Sequence, residues 1–177
     1  MPLRHDAAAA AAEIILAVER RCSGVSGLVG TVGQLAVPLG TINVIPGRCE
    51  LSLDVRAADD RTRDTAAADI LSAIENIAER RGVTAEVKEI ARHSAVRCAQ
   101  RLQSSFAEAV ARMAIEPFYL VSGAGHDAAM FADLTEIGML FVRCGNGGIS
   151  HSPLETVTEE DADFAARVLL DVVVNLD

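Results

Sequence analysis

Aromatic side chains are scarce in this sequence, which has no tryptophan, one tyrosine and five phenylalanines. Half of its 177 residues are nevertheless hydrophobic, so the core must be built mostly from alanine, valine, isoleucine and leucine. Charged residues make up 23% of the chain. This composition is that of an ordinary globular protein with one domain or two small ones, and it excludes a disordered chain.

Basic residues are also in short supply. The chain has 16 lysines and arginines against 25 aspartates and glutamates, which gives a net charge of −9, and it has no basic cluster. Nucleic-acid binding needs basic side chains that neutralise phosphates, and attraction to an anionic membrane surface needs them too. We therefore expect neither nucleic acid nor a membrane among the partners.

Paired cysteine motifs and long apolar runs are absent as well. The four cysteines lie far apart without a CxxC pair, which favours reduced, structural cysteines over a disulfide framework: Cys22, Cys49, Cys98 and Cys144. Residues 1–6 are short and polar, and the alanine run after them is too weakly apolar for a secretory signal. No apolar run is long enough to span a bilayer. Together these features predict a cytoplasmic protein.

A turn followed by a strictly alternating strand stands out at residues 40–56, GTINVIPGRCELSLDVR. Polar residues at Arg48 and every second position to Arg56 alternate with apolar ones from Cys49 to Val55. Successive side chains of a strand point to opposite faces, so one face should be buried. The polar face that ends at Arg56 is either a solvated surface or the wall of a ligand cleft, and alternation alone does not choose between them.

The first half of the chain reads as α-β-β-α-β. Periodicity and capping residues predict helices at 6–22 and from Asp59 or Asp60 to Arg81, with strands at 28–37, 48–56 and 83–90. This order resembles a ferredoxin-like βαββαβ sandwich that lacks its opening strand.

The second half has a different pattern. It predicts helices at 103–114 and 128–134 and a last one capped by Thr158, strands at 118–121 and 138–142, and a long loop at 143–155. Strands that alternate with helices indicate a parallel α/β sheet, which places ligands at the loops after the strands. Two glycine-rich segments follow predicted strands in this way, SGAGHDA at 122–128 and GNGGISH at 145–151.

Each glycine-rich segment carries a histidine. His126 precedes Asp127 in the first, and His151 ends the second. Histidine is a frequent metal ligand, but a catalytic zinc normally takes three protein ligands, and the spacing here matches no short zinc motif. His151 is therefore either a ligand or an ordinary loop residue. Ser122 precedes the glycines instead of lying between them as in GxSxG, so we do not expect it to be a nucleophile.

Four separated segments, in order, resemble the family of N-carbamoyl-L-amino-acid hydrolases and allantoate amidohydrolases. These segments are GTINVIPGRCELSLDVR (40–56), SGAGHDAAMFA (122–132), GMLFV (138–142) and GGISHSPLE (147–155). The head of the chain also fits, because Met1, Arg4, Asp6 and Ala7 match the PMxxRxDA segment at the start of that family's lid domain. The family consists of dinuclear metal-dependent amidohydrolases related to zinc exopeptidases.

The resemblance implies an α/β fold in two parts. Residues 1–91 would be an incomplete α+β lid and dimerisation domain, a ferredoxin-like lobe without its first strand. Residues 92–177 would be the C-terminal part of the zinc-exopeptidase-like α/β catalytic domain. The family's HxD segment, its metal-binding Glu-Glu segment and a lid histidine have no counterpart, since the adjacent Glu159 and Glu160 open a helix. We therefore expect the chain to be a fragment, the carboxy-terminal half of a homodimeric enzyme. We expect this fragment to be inactive by itself.

The resemblance also implies roles for single residues. Asn43 and Arg56 match the pair that holds the substrate carboxylate. Gly125 matches a backbone contact to the substrate, and His151 matches one metal ligand. An arginine offers a planar fork to a carboxylate, which agrees with that assignment.

No catalytic residue is expected in this chain, because the general base would come from the other half of the enzyme. His126 and Asp127 are expected only to line the site. The intact enzyme would use two divalent metal ions, zinc or alternatively manganese, cobalt or nickel, to activate water against a C–N bond. Its substrate would be a small carboxylate such as an N-carbamoyl amino acid or allantoate. Two alternatives stay open: a non-catalytic ligand-binding and dimerisation module, and a related metallopeptidase or aminoacylase.

Overall fold

The structure, a computed structural model, describes residues 3–176, so Met1 lies outside the described residues. The α-helices and β-strands are α1 Ala7–Ser23, β1 Leu28–Thr31, β2 Leu35–Ala36, β3 Glu50–Leu51, β4 Asp54–Ala57, α2 Asp60–Arg81, α3 Gln100–Arg112 and α4 Glu159–Val174. The chain forms two compact units. The first runs through Ala95 and includes Val121–Gly123, and the second contains Val96–Leu120 and the chain from Ala124 onward.

Capping residues set the ends of both helices in the first unit. Asp6 accepts hydrogen bonds from two backbone N–H groups in the first turn of α1, at 3.1 and 3.2 Å. Asp59 accepts one from the Thr62 N–H at 2.9 Å at the start of α2. Gly82 ends α2 with a φ of 64°, a left-handed conformation that suits glycine. Both helices are confirmed where the sequence predicts them.

The strands of the first unit form two short antiparallel ladders in succession, β1 with β4 and β2 with β3. Between the ladders, residues 32–34 oppose only residues 52–53. The first strand therefore has one extra residue at this point, which is the pattern of a β-bulge. A β-bulge interrupts pairing and bends the strand. The Ser52 N–H donates to the Gln34 carbonyl at 3.1 Å, so the interruption is hydrogen-bonded. Each of the two predicted strands is therefore present in two pieces.

One face of these strands is covered by α1 and α2. The core of the first unit consists of Ala10, Ile14, Val18, Cys22, Leu28, Ala66, Ile70, Ile74 and Ile77. Leu51, Leu53 and Val55 of the second strand pack against this core, whereas Asp54 and Arg56 are exposed. The predicted alternation is confirmed, since apolar side chains lie beneath the strands and charged ones on the open face.

The second unit is built on α3 and α4. Its buried residues are Ala109, Val168 and Val172, with Phe106, Val110, Met113, Leu140 and Phe164 packed around them. Thr158 caps α4 through a 3.1 Å hydrogen bond from the Asp161 N–H, as the sequence predicts. The helix predicted at 128–134 is a short 3₁₀ segment at Asp127–Phe131.

Three predicted strands are wrong: within residues 3–176, none forms at 83–90, 118–121 or 138–142. A strand needs a neighbouring backbone to pair with, and an apolar pattern does not supply one. Ile90 and Phe118 are accordingly 91% and 83% exposed. The described residues thus contain no parallel sheet, and the fold is a mixture of helices and small antiparallel sheets. Across this same part of the chain, no helix combines the length and apolar character needed to cross a membrane.

Candidate functional site

Arg56 lies on the exposed face of β4 and is hydrogen-bonded on two sides. Its Nε and Nη2 donate to the two carboxylate oxygens of Asp54, at 2.6 and 3.1 Å. Its Nη1 donates to the backbone carbonyl of Gly123 at 2.7 Å. The strand spacing explains the first contact, because residues two apart share one face. The same guanidinium therefore holds the strand carboxylate and the start of the glycine-rich turn.

The electrostatics of this cluster favour a permanent cation. Hydrogen bonds from Arg56 to Asp54, and then the charge of that carboxylate, raise the pKa of the guanidinium above its ordinary value. Both side chains keep about half of their surface exposed, 54% for Arg56 and 52% for Asp54. A guanidinium has five N–H donors, and Arg56 uses three of them, so two remain, one on each terminal nitrogen. Two N–H groups are what one further carboxylate accepts.

Asn43 is exposed at the tip of a tight turn. Thr41 and Val44 form an antiparallel bridge, which leaves Ile42 and Asn43 as the two residues of the turn. In residues 3–176 no hydrogen bond or ion pair joins Asn43 to Arg56. Both residues lie in the first unit.

His151 lies in the long loop of the second unit, with its ring and backbone engaged separately. Its Nδ1 is 3.0 Å from the Ser150 hydroxyl, and its backbone N–H donates to the Glu155 carboxylate at 2.9 Å. The Ser150 contact occupies one ring nitrogen and leaves Nε2 as the position for a further ligand. The φ of His151 is 57°, a left-handed value that is costly for a residue with a side chain and recurs at functional sites.

The loop around His151 is closed by its own backbone. The Gly145 N–H donates to the Thr156 carbonyl at 2.8 Å, and the Asn146 amide donates to the Leu154 carbonyl at 2.5 Å. A Cβ on Gly145 would come within 2.5 Å of the Thr156 hydroxyl, so a larger residue there would require the Thr156 side chain to shift. These contacts tie the two ends of the loop together and fix the segment that carries His151.

Gly125, His126 and Asp127 are all exposed in the other glycine-rich turn of the second unit. A Cβ on Gly125 would meet nothing within 4 Å, so its backbone is open to approach by another molecule. The His126 carbonyl accepts the Ala129 N–H at 2.9 Å, which starts the short 3₁₀ segment.

A complete metal centre is not formed by the part of the chain that the structure describes. No three residues among its histidines, cysteines, aspartates and glutamates lie close enough together to hold a metal ion. His151 offers one imidazole nitrogen, whereas a catalytic centre takes several protein ligands. The donor set of residues 3–176 therefore fits a single ligand position and not a dinuclear site.

Two contacts of the candidate site are not foreseen by sequence reasoning. Asp54 enters that reasoning only as a polar face residue, and Gly123 only as part of a glycine-rich segment. The signal for the first is the Asp-x-Arg spacing on a strand, which puts both charges on one face. The bond to the Gly123 carbonyl joins residues 67 positions apart, and no local pattern predicts it.

Comparisons with known proteins place these observations in a family. The model of the peptidase family M20/M25/M40 matches residues 6–175. An N-carbamoyl-L-amino acid amidohydrolase from Geobacillus stearothermophilus is 40% identical over 173 residues, which cover 98% of this chain and 42% of that protein. Allantoate deiminase 1 from Glycine max is 36% identical over 203 residues, which cover 99% of this chain and 42% of that protein.

A solved structure gives the same result. An amidase of the hydantoinase/carbamoylase family from Burkholderia multivorans superposes with a TM-score of 0.92 at 32% identity. The match covers 97% of this chain and 42% of the Burkholderia chain. The chain thus spans less than half the length of the proteins that it matches.

Proposed function

The chain belongs to the peptidase family M20/M25/M40. We propose that it is part of a metal-dependent amidohydrolase that cleaves a carbamoyl or ureido C–N bond. The observation that carries this proposal is the arginine cluster on β4. Arg56 is held by Asp54 and Gly123 and keeps two N–H donors for one carboxylate. The names of the relatives support the bond type, because they act on N-carbamoyl amino acids and allantoate, both of which carry a carboxylate.

In this proposal, the arginine anchors the substrate by its carboxylate. A bidentate, charge-assisted pair with Arg56 fixes the position and the rotation of the carboxylate. The Asn43 amide adds a donor, and the open backbone at Gly125 contacts the rest of the substrate. Holding the substrate in one orientation lowers the barrier because the scissile bond no longer has to find its reactive geometry.

We propose that the whole protein is metal-dependent. The family is dinuclear and metal-dependent, and we propose two divalent ions, zinc or alternatively manganese, cobalt or nickel. Such ions act as Lewis acids and supply an activated water when bound. His151 would provide one ligand through Nε2, with its Nδ1 held by Ser150. His126 and Asp127 would line the site, and the remaining ligands and the general base would lie outside residues 3–176.

The two parts of the chain would have different tasks. We propose that residues 1–91 belong to a ferredoxin-like lid domain that also forms a homodimer, and that residues 92–177 belong to the metal-dependent catalytic domain. A cytoplasmic location is proposed as well, and the four free cysteines support it because disulfides are rare there.

A substrate panel tests the proposed activity. A protein of the relatives' full length that carries this chain is loaded with zinc or manganese and assayed on an N-carbamoyl amino acid, allantoate and a dipeptide. We expect hydrolysis of a carbamoyl or ureido compound that a chelator abolishes. Cleavage of the dipeptide alone would assign a peptidase, and metal-independent turnover would contradict the proposal.

The role of His151 has its own test. Zinc is titrated calorimetrically into the same full-length protein with His151→Ala, and with His93→Ala as the control, since His93 is an exposed histidine of the first unit. We expect His151→Ala to remove at least one of the two zinc-binding events. Equal zinc binding by both variants would mean that His151 is only a loop residue.

A further inference from the structure

The open face of the second strand carries two arginines, and each is neutralised by an acidic residue two positions away. Arg56 pairs with Asp54 at 2.6 Å, and Arg48 pairs with Glu50 at 2.6 Å. Across the ladder, the partners of Arg56 and Asp54 are Val29 and Thr31, which have no charge. This face of the strands therefore presents paired charges and no excess of positive charge around Arg56.

The number of further hydrogen bonds that Arg56 can donate is also limited. Asp54 takes one N–H from Nε and one from Nη2, and Gly123 takes one from Nη1. The two remaining N–H groups satisfy a single carboxylate. A ligand with a second carboxylate would find no further donor on this guanidinium.

Charge adds to this limit. Arg56 and Asp54 together carry no net charge, so a bound monocarboxylate makes the cluster singly negative and a dicarboxylate makes it doubly negative. A second negative group on a ligand bound at Arg56 would be repelled by the Asp54 carboxylate, because like charges repel even when they are partly exposed. Asp54 therefore weakens the binding of a dicarboxylate more than it weakens the binding of a monocarboxylate.

We propose that Asp54 is a specificity-determining residue that restricts the Arg56 site to ligands with a single carboxylate. This inference rests on the proposed function, because it requires that Arg56 binds the substrate carboxylate. It goes further because it defines the charge of the substrate: an N-carbamoyl or ureido acid with a single negative charge.

Two nearly isosteric compounds test the inference. N-carbamoyl-L-asparagine and N-carbamoyl-L-aspartate have almost the same shape and differ by one negative charge. Each is titrated into the 177-residue chain, and the ratio of the two dissociation constants is measured by nuclear magnetic resonance, which needs no turnover. The variants are Asp54→Asn, the charge-conserving Asp54→Glu, and Glu50→Gln as the matched control on the same strand face.

The wild-type chain should bind the asparagine compound more tightly. Asp54→Asn should shift the ratio toward the aspartate compound by about three- to tenfold, the size expected for one nearby charge at a partly exposed site. Asp54→Glu and Glu50→Gln should leave the ratio within about twofold of the wild-type value. Circular dichroism shows whether each variant keeps its helices.

Two kinds of outcome would overturn the inference. An unchanged ratio in Asp54→Asn, or an equal shift in Glu50→Gln, would mean that Asp54 does not select by charge, while carboxylate binding at Arg56 would stand. If neither compound bound to the wild-type chain, or if Arg56→Ala bound both normally, the carboxylate site and the selectivity built on it would fail together.

Discussion

Asp54 and Arg56 form a two-point ion pair on the exposed face of β4, with both carboxylate oxygens accepting from the guanidinium at 2.6 and 3.1 Å. An exposed pair of this kind adds little to stability, with a typical contribution below about 1 kcal/mol. Its main effect is to hold the guanidinium in one orientation. The pair therefore contributes little to the fold, which is consistent with the proposed role of Arg56 in binding a carboxylate.

The first prediction concerns the planar fork of Arg56. Arg56→Lys keeps the positive charge but removes the paired donors, so binding of N-carbamoyl-L-alanine should weaken by about tenfold, in line with the loss of one charge-assisted hydrogen bond. Arg48→Lys alters the other arginine of the same strand face and should leave the affinity unchanged. Equal affinities for all three proteins would mean that Arg56 acts only as a charge.

The second prediction concerns pH and stability. Glu13 of α1 pairs with both Arg81 and Arg80 of α2, and these contacts lower the pKa of its carboxyl below its ordinary value of 4.5. The contribution of a group with a depressed pKa is present above the unfolded-state value and is lost as the pH falls through the folded-state value. The urea midpoint of the wild-type chain should therefore fall as the pH drops below about 4.5.

Two variants isolate the contribution of this carboxylate. Glu13→Gln should reduce the acid dependence of the urea midpoint, because the titrating group is gone. Glu19→Gln changes an exposed glutamate of the same helix, for which no ion pair is described, and should leave the acid dependence as it is. Parallel pH profiles for all three proteins would show that the α1–α2 ion pairs do not affect stability.

The third prediction concerns the core of the first unit. Ile70 is 1% exposed between α1 and the strands, whereas its neighbour Leu71 is 40% exposed. Ile70→Ala should reduce the free energy of unfolding by about 2–5 kcal/mol because it removes buried methyl groups and leaves a cavity. Leu71→Ala should cost less than about 1 kcal/mol. Urea unfolding measures both, and similar losses would contradict the packing described.

The fourth prediction concerns the close approach of β1 to α1. A Cβ on Gly30 would clash with the sulfur of Cys22 and lie 3.1 Å from Cγ1 of Val18, and both of these residues are buried. Gly30→Ala should destabilise the chain by about 1–3 kcal/mol through overpacking. Gly24→Ala, at a position where a Cβ meets nothing within 4 Å, should have a much smaller effect. If the two variants unfolded at the same urea concentration, the helix would not be pressed against the strand.

Local sequence predicts the three capped helices α1, α2 and α4 well. These helices begin at the caps Asp6, Asp59 and Thr158, and α2 ends at Gly82. Such ends can be predicted because capping depends only on neighbouring residues. The buried face of the alternating strand is predicted correctly for the same reason, since the period of the pattern shows which side chains point inward.

Strand pairing is where sequence reasoning fails. Residues 83–90, 118–121 and 138–142 have the apolar character of strands but have no partner within residues 3–176, and pairing depends on distant backbone. The contact from Arg56 to Gly123 is non-local too. Sequence motifs identify Arg56 as a candidate ligand-binding residue, but only the structure shows how many of its donors remain for a ligand.

In the proposed function, Arg56 holds a carboxylate of the substrate. The most direct test is a nuclear magnetic resonance titration of the chain with N-carbamoyl-L-alanine and with its carboxamide, which lacks the negative charge, in the wild type and in Arg56→Ala. The proposed role of Arg56 requires that the carboxylate compound binds more tightly than the carboxamide, by about tenfold or more, and that Arg56→Ala removes this difference. Equal binding of both compounds to the wild type, or a preference that persists in Arg56→Ala, would contradict it.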